Sequence, residues 1–336
     1  MLAIVLALAS AIGYGSSDFA AGLASRRAAI IQVNLLASMA YLVVAAAALP
    51  FAPSHPPSAA ALAWGAGAGL GGTAGGLALY FGFRQAAFSV AGPLSAVGAA
   101  GFSVLAGLLF GERPTALAMT GIVLALPAIV GVSASTASAG RDDRRGQGTR
   151  EPDAAGPLRP DGAPTPGRPA TQERPATSGR PTPGRPATQE RPATTGRPAA
   201  GVFGGLIAGA CFALLFIGLD RAGSGSGLWP VAAASAAELA AAFGVATVTG
   251  NVRLPRGWPR SLAVIAGASG ALGTILYFVA THEGFLAVTA VLTSLYPVVT
   301  IVLARTVLGE RLTGLRLGGL VLAGACVALI AVGGAG

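Results

Sequence analysis

Two carboxyl side chains stand inside long apolar stretches of this sequence. Glu238 lies in the run VAAASAAELAAAFGVAT, about ten residues after Leu228. At about 1.5 Å per residue it lies about 15 Å along a helix, near the middle of a bilayer. An ionisable group at that depth is costly unless water, a proton or a partner accompanies it. We therefore expect Glu238 to bind a ligand or exchange a proton. The alternative is a structural role, protonated and bonded to a neighbouring helix.

Asp18 is the second candidate for chemistry within an apolar stretch. It precedes Arg26 by about eight residues and is therefore nearer to the membrane surface than Glu238. Two interpretations stay open: Asp18 faces an interior cavity, or it caps a helix and pairs with Arg26 or Arg27. Tyr14 is one helical turn before Asp18 on the same face, which suits a cavity wall.

Two prolines interrupt apolar stretches, and one of them has a tyrosine beside it. Pro93 and Pro297 each free a backbone carbonyl from helical bonding, which can line a cavity or allow a bend. Tyr296, next to Pro297, is therefore a further candidate for the site. The two prolines lie at unequal distances from the following Gly-Glu-Arg, so they do not predict a symmetric pair of broken helices.

Enzyme signatures are missing from the sequence. There is no GxxxxGK[ST] phosphate loop, HExxH or GxSxG motif, and no cluster of Cys and His with metal-ligand spacing. Cys211 and Cys326 lie within apolar stretches and are read as small buried hydrophobic residues. His282 and Glu283 predict a pair in a loop, with a proton relay as the less favoured reading. We expect no catalytic residue, metal or cofactor.

The composition is that of a membrane protein. Of 336 residues, 53% are hydrophobic and 10% are charged, against roughly 25% charged in a soluble domain. The net charge of +9 does not indicate nucleic-acid binding. Many of the arginines fall between 141 and 197, and those outside this segment form no basic stripe. Spans of about 20 apolar residues predict ten transmembrane helices, near 2–22, 30–49, 62–83, 88–109, 116–134, 201–219, 228–249, 261–280, 286–308 and 314–333.

A segment of different composition divides these spans into two sets of five. Residues 138–200 are rich in Pro, Arg, Thr and Gly and contain a tandem near-copy, TPGRPATQERPATSGRP followed by TPGRPATQERPATTGRP. Such a segment buries too little apolar surface to fold. We expect a disordered linker between a first domain at 1–137 and a second domain at 201–336.

The two sets of spans are related by an internal repeat. ALYFGFRQAAF at 78–88 matches ILYFVATHEGF at 275–285, and FGERPT at 110–115 matches LGERLT at 308–313. Because each half has an odd number of spans, the second half is predicted to be inverted relative to the first, as in many secondary transporters.

The Gly-Glu-Arg turn has a physical interpretation of its own. Its glycine ends a span, while Glu and Arg form a close pair that satisfies each other and helix-end groups at the interface. Thr115 and Thr313 cap the next helix. We favour this structural reading over substrate contact.

These motifs, together with YGSSDFAAGLASRR at 14–27 and LDRAGSGSGLWP at 219–230, resemble the EamA-like family of the drug/metabolite transporter superfamily. The resemblance implies an all-α, ten-span protein of the plasma membrane, the bacterial inner membrane. It implies export of small metabolites or drug-like compounds by alternating access, with proton coupling as an option. Uptake or facilitated diffusion is the alternative, and a structural or receptor-like membrane protein a more distant one. Glu238 departs from the family, whose members often carry Arg there.

The orientation in the membrane has two readings. The short loops on the linker side hold more arginines than those on the other side, which predicts a cytoplasmic linker and external termini. The family resemblance implies that both termini are cytoplasmic. We favour the arginine distribution.

Overall fold

The structure is a computed structural model that describes residues 1–52, 56–85, 88–133, 198–308 and 314–333. The predicted linker at 138–200 lies outside the described residues, except that its last three residues begin a helix. The second turn of the repeat, LGERLT, also lies outside them after its first residue.

The described residues form α-helices and two short 3-10 turns, with no strand among them, which confirms the predicted all-α class. In chain order the helices are α1 (Leu2–Ser25), α2 (Ile30–Ala48), α3 (Ala59–Gln85), α4 (Phe88–Leu109), α5 (Ala116–Ser133), α6 (Pro198–Arg221), α7 (Trp229–Val248), α8 (Trp258–His282), α9 (Leu286–Thr293), α10 (Tyr296–Leu308) and α11 (Gly314–Gly333).

Each predicted span coincides with a helix or, for the ninth span, with α9 and α10 together. Six stretches are long and apolar enough to cross a membrane: Leu2–Ser25, Ile30–Phe51, Phe203–Arg221, Trp229–Val248, Trp258–His282 and Leu286–Leu308. Shorter apolar helices cover Ser95–Leu109, Ala116–Ile129 and Leu317–Gly333. The long helix α3 is not among the six because its eight glycines lower its mean hydropathy.

The ninth predicted span breaks near its middle, whereas the fourth does not. Helix α9 ends at Thr293 and α10 begins at Tyr296, with Pro297 in the first turn of α10. Because proline has no N–H, the carbonyl of Thr293 lacks its helical donor. Helix α4 runs through Pro93 without a break.

Helices pack mainly against helices of the other half, and the pairs match when the halves are exchanged. Helix α1 packs on α8 as α6 packs on α3, and α2 packs on α8 as α7 packs on α3. Similarly, α4 contacts α6 as α10 contacts α1. The packing therefore follows the internal repeat of the sequence.

Glycines allow the closest of these helix contacts. A Cβ atom at Gly13 of α1 would lie 2.7 Å from the Cα of Gly273 of α8. In α3, Gly65 and Gly69 face the backbone of α7 so closely that a side chain at either position would collide with it. The glycine-rich third span thus serves close packing, as small residues at membrane helix interfaces commonly do.

The FGERPT turn ends α4 with a Schellman motif. Gly111 has a φ of 95°, in the left-handed region that favours glycine. Its N–H donates to the carbonyl of Leu108, and the N–H of Glu112 donates to the carbonyl of Gly107 at 2.9 Å. These are the two bonds that define the motif. The glycine of the turn is therefore required by its backbone conformation.

The predicted ion pair within this turn is wrong, whereas the predicted helix cap is confirmed. Arg113 donates to the backbone carbonyl of Glu112 at 3.1 Å, and the Glu112 carboxylate points elsewhere. Thr115 accepts a hydrogen bond from the N–H of Ala118 at 3.2 Å and so caps α5. The Thr115 hydroxyl also donates to the carbonyl of Gly333 at 2.8 Å, which joins α5 to the end of α11.

Candidate functional site

Helix α1 is fixed to α8 along one side by polar contacts at mid-helix. Ser10 donates to the carbonyl of Gly273 at 2.7 Å. The Tyr14 hydroxyl lies 2.7 Å from the hydroxyl of Thr274, within hydrogen-bond distance. Both contacts join the two halves of the chain, so the position of Tyr14 depends on the second half.

On a neighbouring side, α1 meets α10 just after the break in the ninth span. Thr300 donates to the carbonyl of Gly15 at 3.1 Å. A Cβ at Gly15 would lie 2.6 Å from the carbonyl oxygen of Tyr296 and 2.6 Å from the Cβ of Val299. The backbones of α1 and α10 are therefore in direct contact at Gly15.

Asp18 lies between these two sides of α1. It follows Tyr14 by four residues and Gly15 by three, so it lies on the face that these residues share. Its side chain is exposed. Among the described residues, Asp18 makes no hydrogen bond or ion pair.

The space beside Asp18 widens towards the end of α1. Gly22, one turn beyond Asp18, is on the same face as Gly15, but a Cβ at Gly22 would meet no atom within 4 Å. Helices α1 and α10 therefore touch at Gly15 and separate towards Gly22. We call this opening the α1/α10 cleft, with Asp18 at its inner end.

Glu238 lies at the middle of α7 and is half-buried. Its Oε1 accepts a hydrogen bond from the hydroxyl of Ser38 of α2 at 3.2 Å. Tyr41, about one turn after Ser38 on α2, is close enough to interact electrostatically with both Glu238 and Tyr14. Tyr41 also lies near Thr274 of α8. Glu238 thus joins the polar contacts between α1 and α8.

The structure brings the four predicted site residues into one interior region. Tyr14 is within electrostatic range of both Asp18 and Glu238. Tyr296 lies near Asp18 and near Ser95 of α4. We call Tyr14, Asp18, Glu238 and Tyr296 the central cluster.

Asp18 does not form the predicted alternative pair at the helix end. Arg26 and Arg27 are both exposed, and Arg27 instead lies over the ring of Trp258, 5.4 Å from its centroid. Among the described residues the pairing with Arg26 or Arg27 is not formed, and the cavity-facing position of Asp18 stays a prediction.

Sequence reasoning missed the residues that position the cluster, which are Ser38, Tyr41, Ser95 and Thr274. All four are buried. Polar residues in predicted spans were visible in the sequence, and Ser38 and Tyr41 are three residues apart, close to one helical turn. That spacing was the available signal, but it does not indicate which helix they face.

The central cluster has acidic groups without a basic partner. None of the arginines whose side chains the structure describes contributes to the electrostatics of Asp18 or Glu238. Arg305 of α10 is exposed and is about 140° around the helix from Thr300, which contacts α1.

At the opposite end of the bundle, where α1 begins and α11 ends, side chains hold the loops together. We call the loops at 110–115, 222–228 and 283–285 the closed end. Here Glu112 joins the two halves by accepting hydrogen bonds from the backbone N–H groups of Leu286 and Ala287, at 2.5 and 2.9 Å. Thr281 donates to the Asp220 carboxylate at 2.8 Å, a contact within the second half.

Partial burial raises the pKa of Glu112 above its usual value, and the nearby Asp220 raises it further. The amides of Ala287 and Leu286 act in the opposite direction because they stabilise the ionised carboxylate. The cost of removing the charge from water thus opposes the two hydrogen bonds at this contact.

His282 and Glu283 end α8 at the same end of the bundle. The Nδ1 atom of His282 lies 2.7 Å from the carbonyl oxygen of Phe278, and its Nε2 atom is buried without a partner among the described residues. Glu283 is exposed. No described contact joins the two side chains to each other or to the central cluster.

Comparison with known proteins gives one family and one fold. Residues 199–332 match the EamA-like transporter family. A crystal structure of another protein is 15% identical and covers 98% of this chain and 96% of its own, with a TM-score of 0.66. At that identity the likeness concerns the fold. No match is found among curated proteins.

Proposed function

We propose that this membrane protein is a ten-span secondary transporter working by alternating access, because residues 199–332, in the second half of the chain, match the EamA-like transporter family. The observation that carries the proposal is Asp18, an acidic side chain that makes no hydrogen bond or ion pair among the described residues and lies beside the α1/α10 cleft. At the opposite end of the bundle, Glu112 joins the two halves. A site reached from one end while contacts hold the other end together suits alternating access.

The symmetric packing of the helices supports two inverted repeats of five spans. Equivalent helices of the two halves make equivalent contacts. The break between α9 and α10 lies beside the central cluster, as expected where unwound backbone lines a binding site.

We assign different roles to the members of the central cluster. Asp18, without a partner among the described residues, binds the substrate. Glu238, held by Ser38 through one oxygen, exchanges the proton or contributes to binding. Tyr14 and Tyr296 form the walls, where their rings can contact a cation or an apolar group.

The charge of the cluster suggests the class of substrate. Two carboxyls without a basic neighbour favour a small compound that carries positive charge, such as an amine, over an anion. A proton on one carboxyl can replace that charge in the return step. Binding of cation and proton at shared carboxyls gives exchange between them.

The direction of transport that we propose is export across the plasma membrane, in accord with the family resemblance. Uptake or facilitated diffusion uses the same cavity and differs in the gradient that drives it. A non-transporting membrane protein would have no need for a free carboxyl at the inner end of an open cleft.

A metabolite comparison tests this function. We would compare the medium and the cell contents of cells that express the wild type, Glu238→Gln or an empty vector. Glu283→Gln is a matched control, because Glu283 is an exposed acidic residue outside the cluster. We expect an amine to accumulate outside cells with the wild type or the control, but not with Glu238→Gln. Identical profiles in all cells, with the protein present in the membrane, would contradict export of compounds made by those cells.

A further inference from the structure

The contact between Glu112 and α9 joins parts of the chain that are far apart in sequence. Glu112 belongs to the loop between α4 and α5, and its carboxylate accepts the N–H groups of Leu286 and Ala287. These are the first two residues of α9, where N–H groups have no partner within the helix. A carboxylate there is also favoured by the helix dipole.

The position of the carboxylate is specific. A Cβ at Gly107 would collide with the carboxylate of Glu112. The Glu112 side chain therefore occupies the space that Gly107 leaves free near the end of α4. The Schellman motif at Gly111 sets the direction in which the chain leaves α4. Gly107 and Gly111 thus both contribute to aiming Glu112 at α9.

Helix α9 is bounded by this contact at one end and by the break in the ninth span at the other. All eight of its residues are buried. Ser294, at the break, is buried, and its hydroxyl has no partner among the described residues. A short helix joined to α10 by a two-residue break can tilt without bending a continuous helix.

We propose that Glu112 is the latch of the closed end: it holds the start of α9 against the loop between α4 and α5 and releases it in each transport cycle. The α4/α5 loop and α9 then separate, with the break at Ser294 and Leu295 as the hinge. This inference rests on the proposed function, since a protein that does not transport has no need to open this end.

The surrounding charges suit a reversible contact. Asp220 of α6 acts on Glu112 electrostatically and repels the ionised carboxylate. Arg113 bonds to a backbone carbonyl and leaves the carboxylate without an ion pair. Arg221 lies over the ring of Phe110, 4.6 Å from its centroid. Among the described residues Glu112 has no ion pair, so two backbone N–H groups alone hold its carboxylate. Water can replace the carboxylate at these N–H groups when the contact opens.

Thiol labelling tests the latch without a transport assay. In a full-length chain with Cys211 and Cys326 replaced by alanine, Ala290→Cys reports on α9, where Ala290 is buried. In a second such chain, Gly22→Cys reports on the α1/α10 cleft, where a side chain meets open space. The rate of reaction with a water-soluble maleimide is measured for each reporter, with Glu112 intact and with Glu112→Ala.

We expect Glu112→Ala to raise the labelling rate at residue 290 by about tenfold or more, because each of the two charge-assisted hydrogen bonds that it removes is worth at least about tenfold, and to lower the rate at residue 22. Glu283→Ala, at the same end, should change neither rate. Unchanged labelling at residue 290 would overturn the latch. Faster labelling at both positions would also overturn it, because Glu112 would then only stabilise the fold.

The result separates the latch from the proposed function. Opposite changes at residues 290 and 22, together with an absence of transport of amines, would support the latch and contradict the substrate class. Normal transport with unchanged labelling would contradict the latch alone.

Discussion

Ser38 of α2 donates a hydrogen bond to Glu238 of α7, with 3.2 Å between the hydroxyl and Oε1. It is the one hydrogen bond that the described residues give to this carboxyl. The second oxygen of Glu238 is left for a proton or a ligand. The first prediction tests this relationship.

Replacing Ser38 with alanine should destabilise the protein through Glu238. Loss of a hydrogen bond to a half-buried carboxyl costs about 1–3 kcal/mol, so the thermal midpoint should fall by a few degrees. In Glu238→Leu the same change should have little effect, because the carboxyl is gone. Calorimetry of the two single variants and the double variant measures the coupling. Ser25→Ala is the control, because it removes only a hydrogen bond to a carbonyl of its own helix. If Ser38→Ala lowers the stability equally in the wild type and in Glu238→Leu, Ser38 does not act through Glu238.

Asp18→Asn should abolish transport without loss of stability. Asp18 makes no described contact that supports the fold, and asparagine has nearly the same size without the charge. Transport of the amine found in the metabolite comparison and thermal unfolding are measured on the same preparation. A large fall in stability with transport retained would mean that Asp18 has a structural role.

Gly15→Ala should be far more damaging than Gly22→Ala. A methyl group at Gly15 would enter the contact with Tyr296 and Val299, which predicts a loss of about 1–3 kcal/mol from overpacking. At Gly22 the methyl group meets open space, so a small gain from helix propensity is expected. Thermal unfolding of the two variants tests whether α1 and α10 separate along the cleft; equal destabilisation would contradict the cleft.

The closed end should respond to pH through Glu112. Its pKa in the folded protein is raised, mainly by burial, so the folded state binds the proton more tightly than the unfolded state. The stabilisation is fully present below the unfolded pKa and is lost as pH rises through the folded pKa. As pH rises from the unfolded pKa through the folded pKa of Glu112, the thermal midpoint of the wild type should therefore fall relative to that of Glu112→Gln. A difference that is constant across this pH range would contradict the assignment.

Several features follow from the sequence because they depend on local chemistry. Helix positions follow from the length of apolar runs, since a span must satisfy its backbone internally. The turn after α4 follows from Gly111, because a positive φ favours glycine. The depth of Glu238 follows from counting residues along one helix.

The partners of these residues were decided by the tertiary structure. Pro93 and Pro297 look alike in sequence, yet only the ninth span is broken. For Asp18, only the tertiary structure shows that the pairing with Arg26 or Arg27 is not formed, since Arg27 lies over Trp258 instead. The partner of Glu112 is 174 residues away, on a helix whose free N–H groups exist only because α9 begins at Leu286. Such contacts join opposite halves of the chain, and a sequence pattern specifies the face of a helix but not the helix that packs against it.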